Sequence, residues 1–179
     1  MSRGEWQELR EAHRQAVSEL VARAEAVAEG AWERAEPGQW SPAQVAEHVR
    51  LAYRVAGSEI GGGTGLRVRT SWWLRLFLRL RFLPAILKTG RLPRKVRAPR
   101  EIDPGPGPFP RAATLADLRA AAAKAEAGLE TRQARREAGF HHHVFGRLSP
   151  AQSLRFLTVH TRHHLRQLEE IVQRPAARS

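Results

Sequence analysis

The sequence predicts an all-α protein: a four-helix bundle in up-down-down-up order, with a long crossover between helices 2 and 3 that carries an extra helix. Three observations lead there. Apolar residues recur at helical spacing, and no stretch shows the strict alternation of a strand. Helix-start chemistry appears at separate points, as Ser2 with Glu5, Ser41-Pro42-Ala43-Gln44 and Ser149-Pro150-Ala151-Gln152. The connections are unequal, since the first and third are short and the second runs over about residues 66–113. A chain of 179 residues suits one domain, here 1–179, with 66–113 as a basic, proline-rich crossover insertion.

The first helix opens at Ser2, whose side chain and Glu5 have the spacing of a capping box, and Trp6, Leu9, His13, Ala16, Leu20 and Val27 mark its inward face. Gly30 and the Glu36-Pro37-Gly38 turn end it. The second helix begins with Ser41 as cap and Pro42 at the first helical position, where a missing N–H costs nothing. Trp40 and Val45 are spaced for a hydrophobic staple. Its inward stripe is Val45, His48, Val49, Ala52 and Val55 or Ala56, and Gly61-Gly62-Gly63-Thr64-Gly65 stops it. The third helix is expected from near Thr114 to about Ala138, ahead of Gly139. The fourth starts at Ser149 and turns Leu154, Leu157, His160 or Thr161, His164, Leu168 and Ile171 inward. A connection of about fifty residues is long enough to return along the bundle, which lets helices 2 and 3 run parallel.

Composition excludes several classes. There is no cysteine, so disulfides, thiolate ligands and cysteine nucleophiles are out. The charged start MSRGEWQELREAHRQ has no apolar core of a secretory signal. The greasiest stretch, Ser71 to Leu87, is interrupted by Arg75, Arg79 and Arg81, so it does not read as a membrane span. A cytoplasmic location is the expectation. No GxxxxGK[ST], GxGxxG or GxSxG motif is present, nor an obvious pair of catalytic carboxylates.

The net charge of +12 is concentrated. No acidic residue lies between Glu59 and Glu101, whereas that stretch holds Arg67, Arg69, Arg75, Arg79, Arg81, Lys88, Arg91, Arg94, Lys95, Arg97 and Arg100. These are 11 of the 30 Lys and Arg residues, so the other 19 nearly balance the 18 acids. The segment admits three uses. It can be a lid whose Trp72, Trp73, Leu76, Phe77 and Leu80 pack on the bundle near the open side of the histidine site. It can lie on an anionic membrane surface through residues 71–87, or grip nucleic-acid phosphates. The lid is favoured, with Arg75 and Arg79 sharing one outward face. Nucleic acid is disfavoured, because no recognition motif accompanies the charge. Burial of the same apolar groups in a homodimer is a further fate.

Eight histidines are present, and three of them suggest chemistry. His160 and His164 are spaced i, i+4 and face the same way on a helix. His48 lies on the apolar stripe of its own helix. Burying three unpaired imidazoles is costly unless they share a partner, and neutral imidazoles suit zinc, nickel or iron. His48, His160 and His164 are therefore the candidate metal ligands, and their ring nitrogens should converge within about 4 Å. His163 could replace one geometrically but sits farther toward the flank. His13 reads as a satisfied core histidine. His141, His142 and His143 read as an exposed turn that catches metal adventitiously. Glu47 adjoins His48 but points about 100° away on a helix, which makes it a poor ligand.

At these residues the chain resembles the DinB-like superfamily of bacterial four-helix-bundle proteins. The resemblance rests on Trp40-Ser41-Pro42-Ala43-Gln44-Val45-Ala46-Glu47-His48-Val49, on Phe145 to Gln152, and on Phe156 to Leu168 with its His160-Thr161-Arg162-His163-His164. It implies the same metal triad, His48, His160 and His164, and a long crossover. It implies a divalent-metal-dependent enzyme, either a transferase using a low-molecular-weight thiol or a hydrolase, acting on a small molecule. Zinc or nickel is the expected ion, with iron or manganese as alternatives. The rival reading is a non-enzymatic binding or membrane-surface protein with a vestigial histidine site. The basic, tryptophan-containing crossover departs from the family pattern, so no relative's substrate carries over.

Overall fold

The computed structural model describes residues 1–63, 71–92 and 98–173, with every side chain among them except those of Trp72, Leu74 and Arg75. The readings placed on Thr64, Gly65, Arg67, Arg69, Pro93, Arg94, Lys95 and Arg97 lie outside the described residues. The protein is all-α. Four long helices, α1 (Arg3–Glu25), α2 (Pro42–Ile60), α5 (Arg111–Ala134) and α6 (Pro150–Gln173), share one core. Two shorter helices, α3 (Trp72–Arg81) and α4 (Leu83–Thr89), lie in the crossover.

The starts of three long helices follow their cap chemistry. Ser2 Oγ accepts the Glu5 N–H at 3.2 Å while Glu5 accepts the Ser2 N–H at 2.6 Å. Ser41 and Gln44 make the same reciprocal pair, and so do Ser149 and Gln152. Each box satisfies donors a helix start leaves open. Helix α5 begins earlier than expected, at Arg111, because the Pro110 carbonyl already accepts the Thr114 N–H at 2.9 Å. It also ends earlier, at Ala134, and Arg136 enters the left-handed region at φ 57°.

The strongest packing is α2 on α5 and α1 on α6, not between the chain neighbours α1 and α2. Arg50 of α2 faces Asp117 of α5 at 3.7 Å, and Arg132 of α5 donates to the Ile60 carbonyl at the end of α2 at 2.8 Å. A polar network crosses the core between α1, α2, α5 and α6. His13 Nδ1 donates to Glu126 at 3.1 Å, His13 Nε2 meets the Tyr53 hydroxyl at 2.8 Å, and that hydroxyl meets Thr161 Oγ1 at 2.8 Å. His13 is thus a satisfied core histidine, as expected.

Two sequence expectations need correction here. The first is the absence of strand. Residues after α5 form a two-residue antiparallel ribbon, β1 (His141–His142) on β2 (Gly146–Arg147), turned with Gly146 at φ 72°. So short a ribbon leaves no alternation to read. The second is the single packed helix over 71–87. The chain breaks at Phe82, because Pro84 has no N–H to continue the helical ladder. Leu83 and Ile86 of α4 are buried and Leu78 of α3 packs on the core, but Trp73, Leu76, Phe77 and Leu80 stand exposed. Arg79 does not point outward. Its guanidinium donates to the Phe145 and Arg147 carbonyls of the ribbon and pins the opposite face of α3 inward.

Candidate metal centre

Helix α2 supplies His48 and helix α6 supplies His160 and His164. His48 and His164 are buried, and His160 keeps some exposure toward a cavity. One ring nitrogen from each lies within 4.8 Å of the other two, so these three histidines could hold a metal ion. Ligands about 2.0–2.1 Å from a tetrahedral ion are about 3.3–3.4 Å apart. His48 Nε2 and His160 Nε2 are 3.3 Å apart and meet that requirement. The full set is wider than the 4 Å expected from the sequence.

The donor chemistry fits a cation. His48 Nδ1 donates to the Ile102 carbonyl at 2.7 Å, which can only accept, so in the neutral ring the Nε2 lone pair is free to face His160. His164 Nδ1 donates to Gln167 Oε1 at 2.8 Å and frees its own Nε2 in the same way. These outer partners fix tautomer and ring orientation, as at metal-binding imidazoles generally. With His48 Nε2 accepting, the 3.3 Å contact requires the proton on His160 Nε2. For the triad to hold a metal, the neutral His160 ring would carry its proton on Nδ1 instead, leaving Nε2 free as a ligand.

Electrostatics keep the rings neutral. Burial is the main cause that pushes His48 below the ordinary histidine value, against the opposing Ile102 hydrogen bond. Burial first, then the neighbouring imidazoles, pushes His160 and His164 well below it. Protons are therefore poor competitors for this nitrogen cluster. Trp40, the residue before the α2 cap, lies over the site with its ring 4.7 Å from His48 and 6.3 Å from His164, and screens them from water.

The triad forms one wall of a cavity of about 950 Å³. Phe82 and Ile86 of the crossover and Phe140, Phe145 and Phe156 near the ribbon supply apolar wall. Glu59, Arg91 and Arg166 supply charge. The arrangement can bind a largely apolar small molecule with a polar group at the histidines.

His163 stays outside the cluster, edge-on to His164 at 5.0 Å. Glu47 is not turned to the site either, since both its oxygens are held by Arg50 at 2.6 and 2.7 Å. The triple histidine departs from expectation. His141 is exposed, but His142 and His143 are half-buried, and all three line the cavity. His142 Nδ1 accepts the Val144 and Phe145 N–H groups at 3.1 and 3.4 Å, and its ring stacks on Phe145 at 4.8 Å. Sequence reasoning missed His142, Trp40, Gln167 and the Ile102 carbonyl as parts of the site. Gln167 carried a signal, standing i+3 from His164. The Ile102 carbonyl carried none.

A predominantly helical protein with a largely buried, convergent trio of histidines is the class these features define. The DinB superfamily model matches residues 9–168, and the chain belongs to the DinB superfamily. No curated protein and no solved structure matches it.

Proposed function

We propose that this protein is a divalent-metal-dependent enzyme in which His48, His160 and His164 hold the ion. The observation that carries the reading is the convergence of the three imidazoles within 4.8 Å on the wall of a cavity large enough for a small substrate. Zinc or nickel is the favoured ion for an all-imidazole set, ahead of iron or manganese. Three protein ligands leave coordination positions open. The ion supplies Lewis acidity that polarises a bound thiol or water. The chain's own residues orient the imidazoles through Ile102 and Gln167, exclude water with Trp40, and seat the substrate's apolar part against Phe82, Ile86 and Phe156. Transfer involving a low-molecular-weight thiol is the first reaction class and hydrolysis the second. The proposed setting is cytoplasmic, with residues 1–179 as one DinB-like domain.

We also infer an up-down-down-up bundle. Arg50 faces Asp117 in the first halves of α2 and α5, and Ile60 meets Arg132 at their ends, which supports a parallel α2–α5 pair. Arg10 reaches Glu130 while Glu25 reaches Arg119, which supports α1 antiparallel to α5.

A second reading is a non-enzymatic, membrane-surface protein with a vestigial site, and the exposed apolar face of α3 favours it. Metal analysis separates the two. Tag-free protein, purified or reconstituted with zinc, nickel, iron or manganese, should hold one ion per chain. No stoichiometric metal after reconstitution refutes the enzyme reading. A binding screen with low-molecular-weight thiols then tests the reaction class.

A further inference from the structure

Trp73, Leu76, Phe77 and Leu80 of α3 are spaced i, i+3, i+4 and i+7 and so share one helical face. They are 61%, 48%, 55% and 68% exposed, whereas Leu78 and Arg79, on the other side of the helix, are half-buried. Leu78 packs on the core, and Arg79 is bound to the ribbon carbonyls. The stripe is therefore an outer face of the helix, made of an indole, a phenyl ring and two leucines.

Cations flank it without anions. Arg81, Lys88 and Arg91 are exposed beside or after the stripe, and no acidic residue occurs between Glu59 and Glu101. We propose that this face docks on an anionic lipid bilayer, with α3 lying in the interface plane. Trp73, Leu76, Phe77 and Leu80 enter the headgroup–acyl boundary, and Arg81, Lys88 and Arg91 meet lipid phosphates.

Charge selects this occupant over the others. A two-fold dimer across the face brings Arg81, Lys88 and Arg91 of one copy toward the same three cations of the other. Nucleic acid answers the charge but leaves four large apolar side chains in water. No helix among the described residues is long and apolar enough to cross a membrane, so the contact is peripheral. Leu78 and Phe82 of the same segment line the histidine cavity, so docking sets the wall of that cavity against the lipid.

Flotation of the full-length protein with vesicles tests the proposal. One set is phosphatidylcholine alone, and the other is an equal mixture with phosphatidylglycerol. The expected result is flotation with the anionic vesicles only, weakened by salt. Trp73→Ser with Phe77→Ser should lower partitioning at least about tenfold. Each of Arg81→Gln, Lys88→Gln and Arg91→Gln should lower it about fivefold. All five positions are exposed, and circular dichroism checks that the variants keep their helix. Four results overturn the proposal: no flotation with anionic vesicles, equal flotation with both sets, flotation unchanged by the serine pair, or a dimer in solution that the serine pair dissociates. None of these readouts depends on metal, so failure here is distinct from failure of the metal site.

Discussion

Replacing Glu126 by glutamine should weaken the core network by an amount that varies with pH. Glu126 is nearly inaccessible, and burial by itself would raise its carboxyl pKa. Hydrogen bonds from His13, Arg10 and Arg14 outweigh that and hold it at about 2, against an ordinary value of 4.5. At about 1.36 kcal/mol per pH unit, the ionised form contributes about 3 kcal/mol to folding at neutral pH. The folded-state value is the depressed one. The contribution is therefore complete above about pH 4.5, falls between 4.5 and 2, and is gone below. Glu126→Gln preserves shape and one acceptor but removes the charge, so the difference between the two proteins should follow the same course. Urea unfolding at pH 7 should show the variant less stable by about 3 kcal/mol, or about 6–12 °C lower in Tm for a chain of this size. At pH 2.5 the gap should have shrunk to well under half. Arg14 is 54% exposed and recovers solvation in the variant, whereas His13 is 2% exposed and does not, so His13 is the group left poorly paired. A gap of equal size at both pH values, or below about 1 kcal/mol at pH 7, refutes this account of the network.

His164→Ala should abolish tight metal binding with the helical circular dichroism intact, because alanine suits a long helix, while His163→Ala should keep the metal. Isothermal titration with zinc checks both, and reversed outcomes sink the ligand assignment. Zinc affinity should stay constant as pH falls through 6.5, where ordinary histidines begin to protonate, and decline only well below it, because burial holds the His160 and His164 pKa values down. A decline centred on 6.5 would contradict the buried-triad geometry. Gly139→Ala should destabilise the protein by about 1–3 kcal/mol in thermal melts. A Cβ there meets Ser149 O at 2.9 Å and also Ser153 Oγ, at the tightly packed start of α6. An unchanged melting temperature would show that this junction is not close-packed.

Much of this protein was determined locally and was legible along the chain. Cap chemistry depends on residues three apart, so Ser2 with Glu5, Ser41 with Gln44 and Ser149 with Gln152 mark their helices without tertiary help. Helical period likewise placed His160 and His164 on one face and turned Glu47 aside. What tertiary structure decided depends on groups far apart in sequence. The Ile102 carbonyl reaches His48 across 54 residues, and His13 reaches Glu126 across 113. A backbone carbonyl has no residue type to signal it, so its role could not be read. Only the packed structure sets which helices touch most, and there α2 meets α5 and α1 meets α6. The crossover is the sharpest case. Its composition demanded that large apolar groups leave water, and Arg75 and Arg79 on one face suggested that the apolar side turns inward, but an arginine can also donate to buried carbonyls, so the pattern alone does not decide which side packs. Leu78 and the Arg79 contacts with the ribbon made that choice, and they left Trp73, Leu76, Phe77 and Leu80 facing out.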